Sequence, residues 1–149
     1  MSASAEEPPF EHGMRVYWED TDAGGVVFYA NYLRFFERAR TEWLRIRGFG
    51  QEQMRQDRGL MFVVAHTAVD YHRPARLDDW LAVDVRLVEA GRASLVIDQR
   101  AHRVAADGSR TLLADGRIRI GCVAAATFRP ARIPDEVLAT LVPHRQPIA

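Results

Sequence analysis

Apolar residues between positions 30 and 47 recur with a helical rhythm: Tyr32, Phe36, Ala39, Trp43 and Ile46 are spaced four, three, four and three apart. Arg34, Arg38, Thr41 and Arg45 fall on another face. The spacing predicts an amphipathic helix of about five turns from Ala30 to Arg47, held in place by burial of its aromatic face. Gly48 and Gly50 supply a stop, and an i,i+4 pair of Arg38 with Glu42 adds only ~0.2–0.5 kcal/mol. Gln51 to Arg58, closed by Gly59, predicts a short second helix.

From Leu60 onward the period changes to two, the repeat of a strand. Ala65, Thr67, Val69 and Tyr71 share one face, as do Leu81, Val83, Val85 and Leu87. Leu112, Ala114, Gly116, Ile118, Ile120 and Cys122 repeat the pattern, with Asp115, Arg117 and Arg119 opposite. Ala93 to Val104 reads as a further strand, and the Asp107-Gly108 pair after it is a tight-hairpin signal. Phe10 to Trp18 carries the aromatic and β-branched character of a first strand. Prolines 130, 134, 143 and 147 leave room for one short helix around Asp135 to Leu141.

Consecutive strands with short connections mean an antiparallel sheet of about five strands, here covering one long helix in an α+β layer arrangement. The expected organisation is a flexible lead-in over residues 1–9, one domain over residues 10–142 and a tail over residues 143–149. One helix covers only part of such a sheet, so a homo-oligomer is expected.

The chain has 149 residues, about half of them hydrophobic, enough for one core and one domain. Lys plus Arg balance Asp plus Glu at 20 each, which excludes a global positive field toward nucleic acid or anionic membrane. The one cysteine, Cys122, rules out an intramolecular disulfide and fits a buried strand position in a reducing compartment. No stretch approaches the ~20 apolar residues of a membrane span, and the acidic start lacks an apolar signal core. A soluble, cytoplasmic protein is the expectation.

The densest polar cluster is Glu19, Asp20, Thr21 and Asp22, followed by Ala23-Gly24-Gly25 and the apolar run Val26-Val27-Phe28-Tyr29 that leads into the helix. The glycines let the backbone turn sharply and approach a ligand, and a helix start offers N–H groups without intrahelical partners. Thioester hydrolysis needs a carboxylate that attacks the carbonyl or activates water, together with donors aimed at the oxyanion. The same acids also suit a plain helix cap, and spacing leaves both readings open. Asp20 and Asp22 lie two apart, but no Asp-x-Asp-x-Asp-Gly loop or His-x-x-x-His pair points to a metal.

The run from Arg15 to Tyr32, continuing through Phe36 to Glu42, strongly resembles the 4-hydroxybenzoyl-CoA thioesterase family, and within it the YbgC type associated with the bacterial Tol-Pal system. Tyr71 to Asp79 and Arg129 to Pro134 match the same type. The resemblance implies a hotdog fold, with a long helix wrapped by an antiparallel sheet and active sites where two subunits join their sheets. It implies acyl-CoA hydrolysis with no metal or organic cofactor. The family's catalytic Asp falls on Asp22, and the backbone N–H that polarises the thioester carbonyl falls on Tyr29. Asp20 stands where turn stabilisation is expected. YbgC-type sequences often carry a His shortly after the paired valines, where this chain has Phe28-Tyr29.

Gly25 and Val26 are candidates for backbone contact with substrate, and Asn31 for a bond to the Asp22 loop, to ligand, or a cap. Arg73, Arg76, Arg129 and Arg132 are candidates for the phosphates of coenzyme A. His66 and His72 lack a local Ser or Cys partner and read as structural. Phe35, Phe36 and Trp43 read as core packing, with part of the set a candidate for lining an acyl pocket. Substrate is an acyl-CoA, with an acyl carrier protein thioester as the lesser option, and assembly a homodimer or homotetramer. A non-catalytic acyl-binding scaffold linked to the envelope is the alternative. A hotdog dehydratase would need a His base that the Asp22 segment lacks.

Overall fold

The computed structural model describes residues 8–144. Residues 1–7 and 145–149, most of the expected lead-in and tail, lie outside the described residues. Five strands, β1 (Phe10–Arg15), β2 (Leu60–Tyr71), β3 (Trp80–Ala90), β4 (Ser94–Val104) and β5 (Arg110–Ala124), form one sheet in the order β1-β3-β4-β5-β2, with every pairing antiparallel. The helices are α1 (Asn31–Ile46), α2 (Gln51–Arg58) and α3 (Asp135–Leu141).

Helix α1 lies against one face of the sheet. Phe35, Phe36, Ala39, Trp43 and Leu44 are buried with Leu81, Val83, Leu87, Leu95, Ile97 and Ile118 in one core. Each large side chain buried this way contributes about 1.5–3 kcal/mol. Gly116 of β5 lies close under the helix: a Cβ there would stand 3.2 Å from the Phe36 ring. Ile46 departs from the predicted face and is 70% exposed, because the helix has passed the edge of the core at its last residue. Glu42 pairs with Arg45 instead of Arg38, whose guanidinium lies over the Phe35 ring at 5.9 Å.

Two strand boundaries differ from expectation for local reasons. The first strand stops at Arg15, because the Val16 N–H donates to Asp79 O at 2.9 Å and Trp18–Asp20 wind into a single 3₁₀ turn. In β2 the pairing slips between Val64, opposite Ile120, and His66, opposite Arg119. Ala65 is the extra residue of this bulge, so the helix-facing set is Phe62, Val64, Thr67, Val69 and Tyr71, and Ala65 is exposed. The Asp107-Gly108 turn joins β4 to β5, with Gly108 at φ 85° and the Asp107 carboxylate accepting from Ser109 N and Oγ.

Pairing between β3 and β4 lapses at Asp84–Val85 opposite Gln99–Arg100. Side chains take over there. The Arg100 N–H donates to Asp84 Oδ1 at 2.6 Å, and Gln99 Nε2 donates to Asp84 O at 3.2 Å and to Phe36 O at 3.0 Å. Arg40 of α1 completes the group through Gln99 Oε1 at 2.9 Å. Burial pushes the Asp84 carboxyl upward, against the pull of the Arg100 N–H and of Arg86.

Strands β1 and β2 form the edges of the sheet. The 12-residue β2 is exposed at its middle, from Val64 to His66.

Candidate active site

Residues 21–27 make a miniature hairpin. Thr21 bridges Val27, the Asp22 N–H donates to Val26 O at 2.9 Å, and Gly25 takes φ 76° at the tip. A left-handed φ favours glycine. Asp22 starts the turn and is exposed; its Oδ1 accepts the Gly24 N–H at 2.8 Å, and Oδ2 has no donor among the described residues. Val26 bridges Arg76, and the Val27 N–H donates to Ala75 O, so the segment after β2 holds the hairpin from behind.

Asp20 has the opposite surroundings. It is 4% exposed, and its Oδ2 accepts the Tyr17 N–H at 2.8 Å, closing the 3₁₀ turn. Its carbonyl accepts from the Asn31 side-chain amide at 2.8 Å and from the Phe28 N–H at 3.2 Å. Asn31 therefore ties the first residue of α1 to the loop and does not cap the helix.

The start of α1 leaves donors open. The N–H groups of Asn31, Tyr32 and Leu33 bond back to Phe28, Tyr29 and Ala30, whereas those of Tyr29 and Ala30 have no acceptor among the described residues. Beside Tyr29 is a cleft of about 220 Å³ lined by Val27, Tyr29, Tyr32, Tyr71 and the segment His72-Arg73-Pro74. Tyr71 stands edge-on to both Tyr29 and Tyr32, with ring centroids 6.1 and 5.4 Å apart. The buried Tyr32 hydroxyl accepts the Ala75 N–H at 2.9 Å, and burial raises the pKa of Tyr32 and of Tyr71. Tyr32 and Tyr71 were legible as inward positions but not as cleft walls, since Tyr71 reaches Tyr29 only through the sheet.

The arginine candidates separate into two sets. Arg73 and Arg76 follow β2 directly and are exposed near the hairpin, with no ion pair among the described residues. Arg129 and Arg132 lie at the other end of β2, where Ala124 pairs with Leu60, accepts the Phe128 N–H at 2.8 Å and donates to Arg129 O. Twelve strand residues put the two sets about 36 Å apart. Arg132 pairs with Asp135 at 3.0 Å. His66 sits on the sheet's outer face opposite Arg119, and His72 Nε2 lies 3.3 Å from Asp115 Oδ1. Phe35, Phe36 and Trp43 are fully enclosed core. Cys122 is buried, and burial raises its thiol pKa. Among the described residues, no group of three or more His, Cys, Asp or Glu is placed to hold a metal, and no helix is long and apolar enough to cross a membrane.

Residues 16–141 match the thioesterase-like superfamily. The chain is 42% identical over 130 residues to the acyl-CoA thioesterase YbgC of Haemophilus influenzae, covering 87% of this chain and 92% of that protein. It is 40% identical over 130 residues to the acyl-CoA thioester hydrolase YbgC of Escherichia coli, covering 87% and 93%. Its fold is that of 4-hydroxybenzoyl-CoA thioesterase from Pseudomonas sp. strain CBS-3, with a TM-score of 0.81 at 20% identity over 88% of this chain and 97% of that one. The long helix wrapped by a five-stranded antiparallel sheet is thus the hotdog arrangement.

Proposed function

Because this chain belongs to the thioesterase-like superfamily, we propose that it hydrolyses acyl-CoA thioesters at the Asp22 turn, releasing free acid and coenzyme A. It is an enzyme of the acyl-CoA thioesterase class. One observation carries the site assignment: an exposed carboxylate with a free oxygen and a helix start with two unclaimed N–H groups belong to one short segment, and Asn31 ties that helix start to the carbonyl of Asp20, two residues before the carboxylate.

Asp22 supplies the carboxylate that attacks the thioester carbonyl or deprotonates the water that does, and the Tyr29 N–H takes the developing oxyanion. No histidine is needed where this chain has Phe28-Tyr29 in this scheme. Gly25 and Val26 border the thioester through their backbone, and the aromatic cleft beside Tyr29 receives the acyl group. Arg73 and Arg76 face the phosphates of coenzyme A.

We assign a homodimer joined along β2. A long, apolar, exposed edge strand is a template for pairing, and a two-fold axis pairs it antiparallel with itself. Antiparallel pairing brings the Leu60 end of one copy to the Tyr71 end of the other, so Arg129 and Arg132 of the second copy join Arg73 and Arg76. The single buried cysteine suits the cytoplasm.

A thiol-release assay over short, long and aromatic acyl-CoAs, with acyl carrier protein thioesters added, tests the reading. Asp22→Asn is expected to lower kcat on the order of 10²–10⁴-fold, the scale of general-base catalysis, with KM little changed. Unchanged turnover would reject Asp22.

A further inference from the structure

Arg40 is 7% exposed at the middle of α1, and among the described residues its guanidinium donates to the neutral amide of Gln99. Among the described residues no carboxylate forms an ion pair with it. A buried cation without a paired anion costs several kcal/mol in desolvation, so this position calls for an acid. Burial lowers the pKa of Arg40, and Glu37 opposes that shift from a distance.

Arg40 opens onto a cleft of about 310 Å³ between α1 and β2, walled by Leu33, Arg34, Glu37, Val64, Thr67 and Ile118. Leu33 and Val64 are 42% and 52% exposed, and Glu37 is exposed. Val64 and Thr67 flank the midpoint of β2. An antiparallel self-pairing with the greatest overlap puts its two-fold axis at that midpoint, so this cleft lies on the axis. At a two-fold contact, if residue i of one copy meets j of the other, then j meets i.

Resting on the β2 dimer proposed above, we infer that the cleft is closed by the same cleft of a second copy, with Glu37 of each protomer pairing with Arg40 of the other. The two reciprocal ion pairs neutralise a charge that the lone chain leaves buried, and Leu33 and Val64 cover one another around them.

The test is complementation between chains. Glu37→Arg and Arg40→Glu are each expected to weaken homodimerisation on the order of 10²-fold, the scale for breaking a buried charge pair across an interface. Co-expressed under different tags, they restore both pairs and form almost only heterodimer by native mass spectrometry, against the half that random assortment gives. If Arg40→Glu does not fold, the double variant Glu37→Arg/Arg40→Gln serves: it removes the Arg–Arg clash and dimerises more tightly than Glu37→Arg alone. A dimeric wild type whose variants show no such preference, and no rescue, would overturn the inference and leave the β2 dimer standing. A monomeric wild type would overturn both. Octanoate binding that depends on Arg40, without any preference between variants, would assign the cleft to a small carboxylate and also overturn it.

Discussion

Asp20 and Asp22 lie two residues apart in one loop, yet one is enclosed and bonded to a backbone N–H while the other is open to solvent. Sequence spacing could not rank them, because burial of Asp20 comes from a 3₁₀ turn that leaves no periodic trace. Asp20→Ala strands the Tyr17 N–H and is expected to cost about 1–3 kcal/mol in urea unfolding. Asp20→Asn keeps an acceptor and should retain most of the stability and turnover. Arg40 was likewise invisible: the sequence marks an arginine as a surface residue, and only the packed helix encloses it. His102 gives a third prediction. Burial lowers its pKa, with Asp84 opposing and Arg110 assisting. As pH falls below about 6.5 the unfolded chain binds the proton first, so the native state loses stability through that window. His102→Gln should flatten the fall in urea midpoint between neutral and mildly acidic pH; an unchanged slope would place the titration elsewhere.

At the scale of elements, α1 was readable almost residue by residue, because its aromatic face is what the core buries. β2 was readable as a strand but not in its facing, since the bulge at Ala65 moves Val64 inward and is set by pairing with β5. The first strand was overextended to Trp18 because aromatic character signals burial, whereas Tyr17 and Trp18 are 60% and 80% exposed. The fit of α1 to the sheet depends on Gly116. Gly116→Val should press on Phe36 and Val69 and cost about 1–3 kcal/mol, the range for overpacking. Because Phe36 lies little more than one turn into α1, the same change should lower kcat by shifting the Tyr29 N–H. A variant that loses stability but keeps kcat would separate core from site.

For the whole molecule, one chain accounts for the fold, whereas the substrate site proposed above draws on two. The sequence showed that a sheet would be left uncovered; it could not show that β2 divides the basic residues between its two ends, which is a matter of strand length and register. If activity belongs to the dimer, turnover per protomer should fall on dilution through the dissociation range. A constant specific activity there would assign the site to one chain. The separation of the arginine sets along β2 also has a genetic consequence. In the proposed dimer, Asp22→Asn is expected to disable the site of the protomer that carries it, and Arg129→Ala the site of its neighbour. A heterodimer of the two mutants concentrates both lesions in one site and leaves the other whole. Two inactive alleles would then restore function when present together, and neither could do so alone.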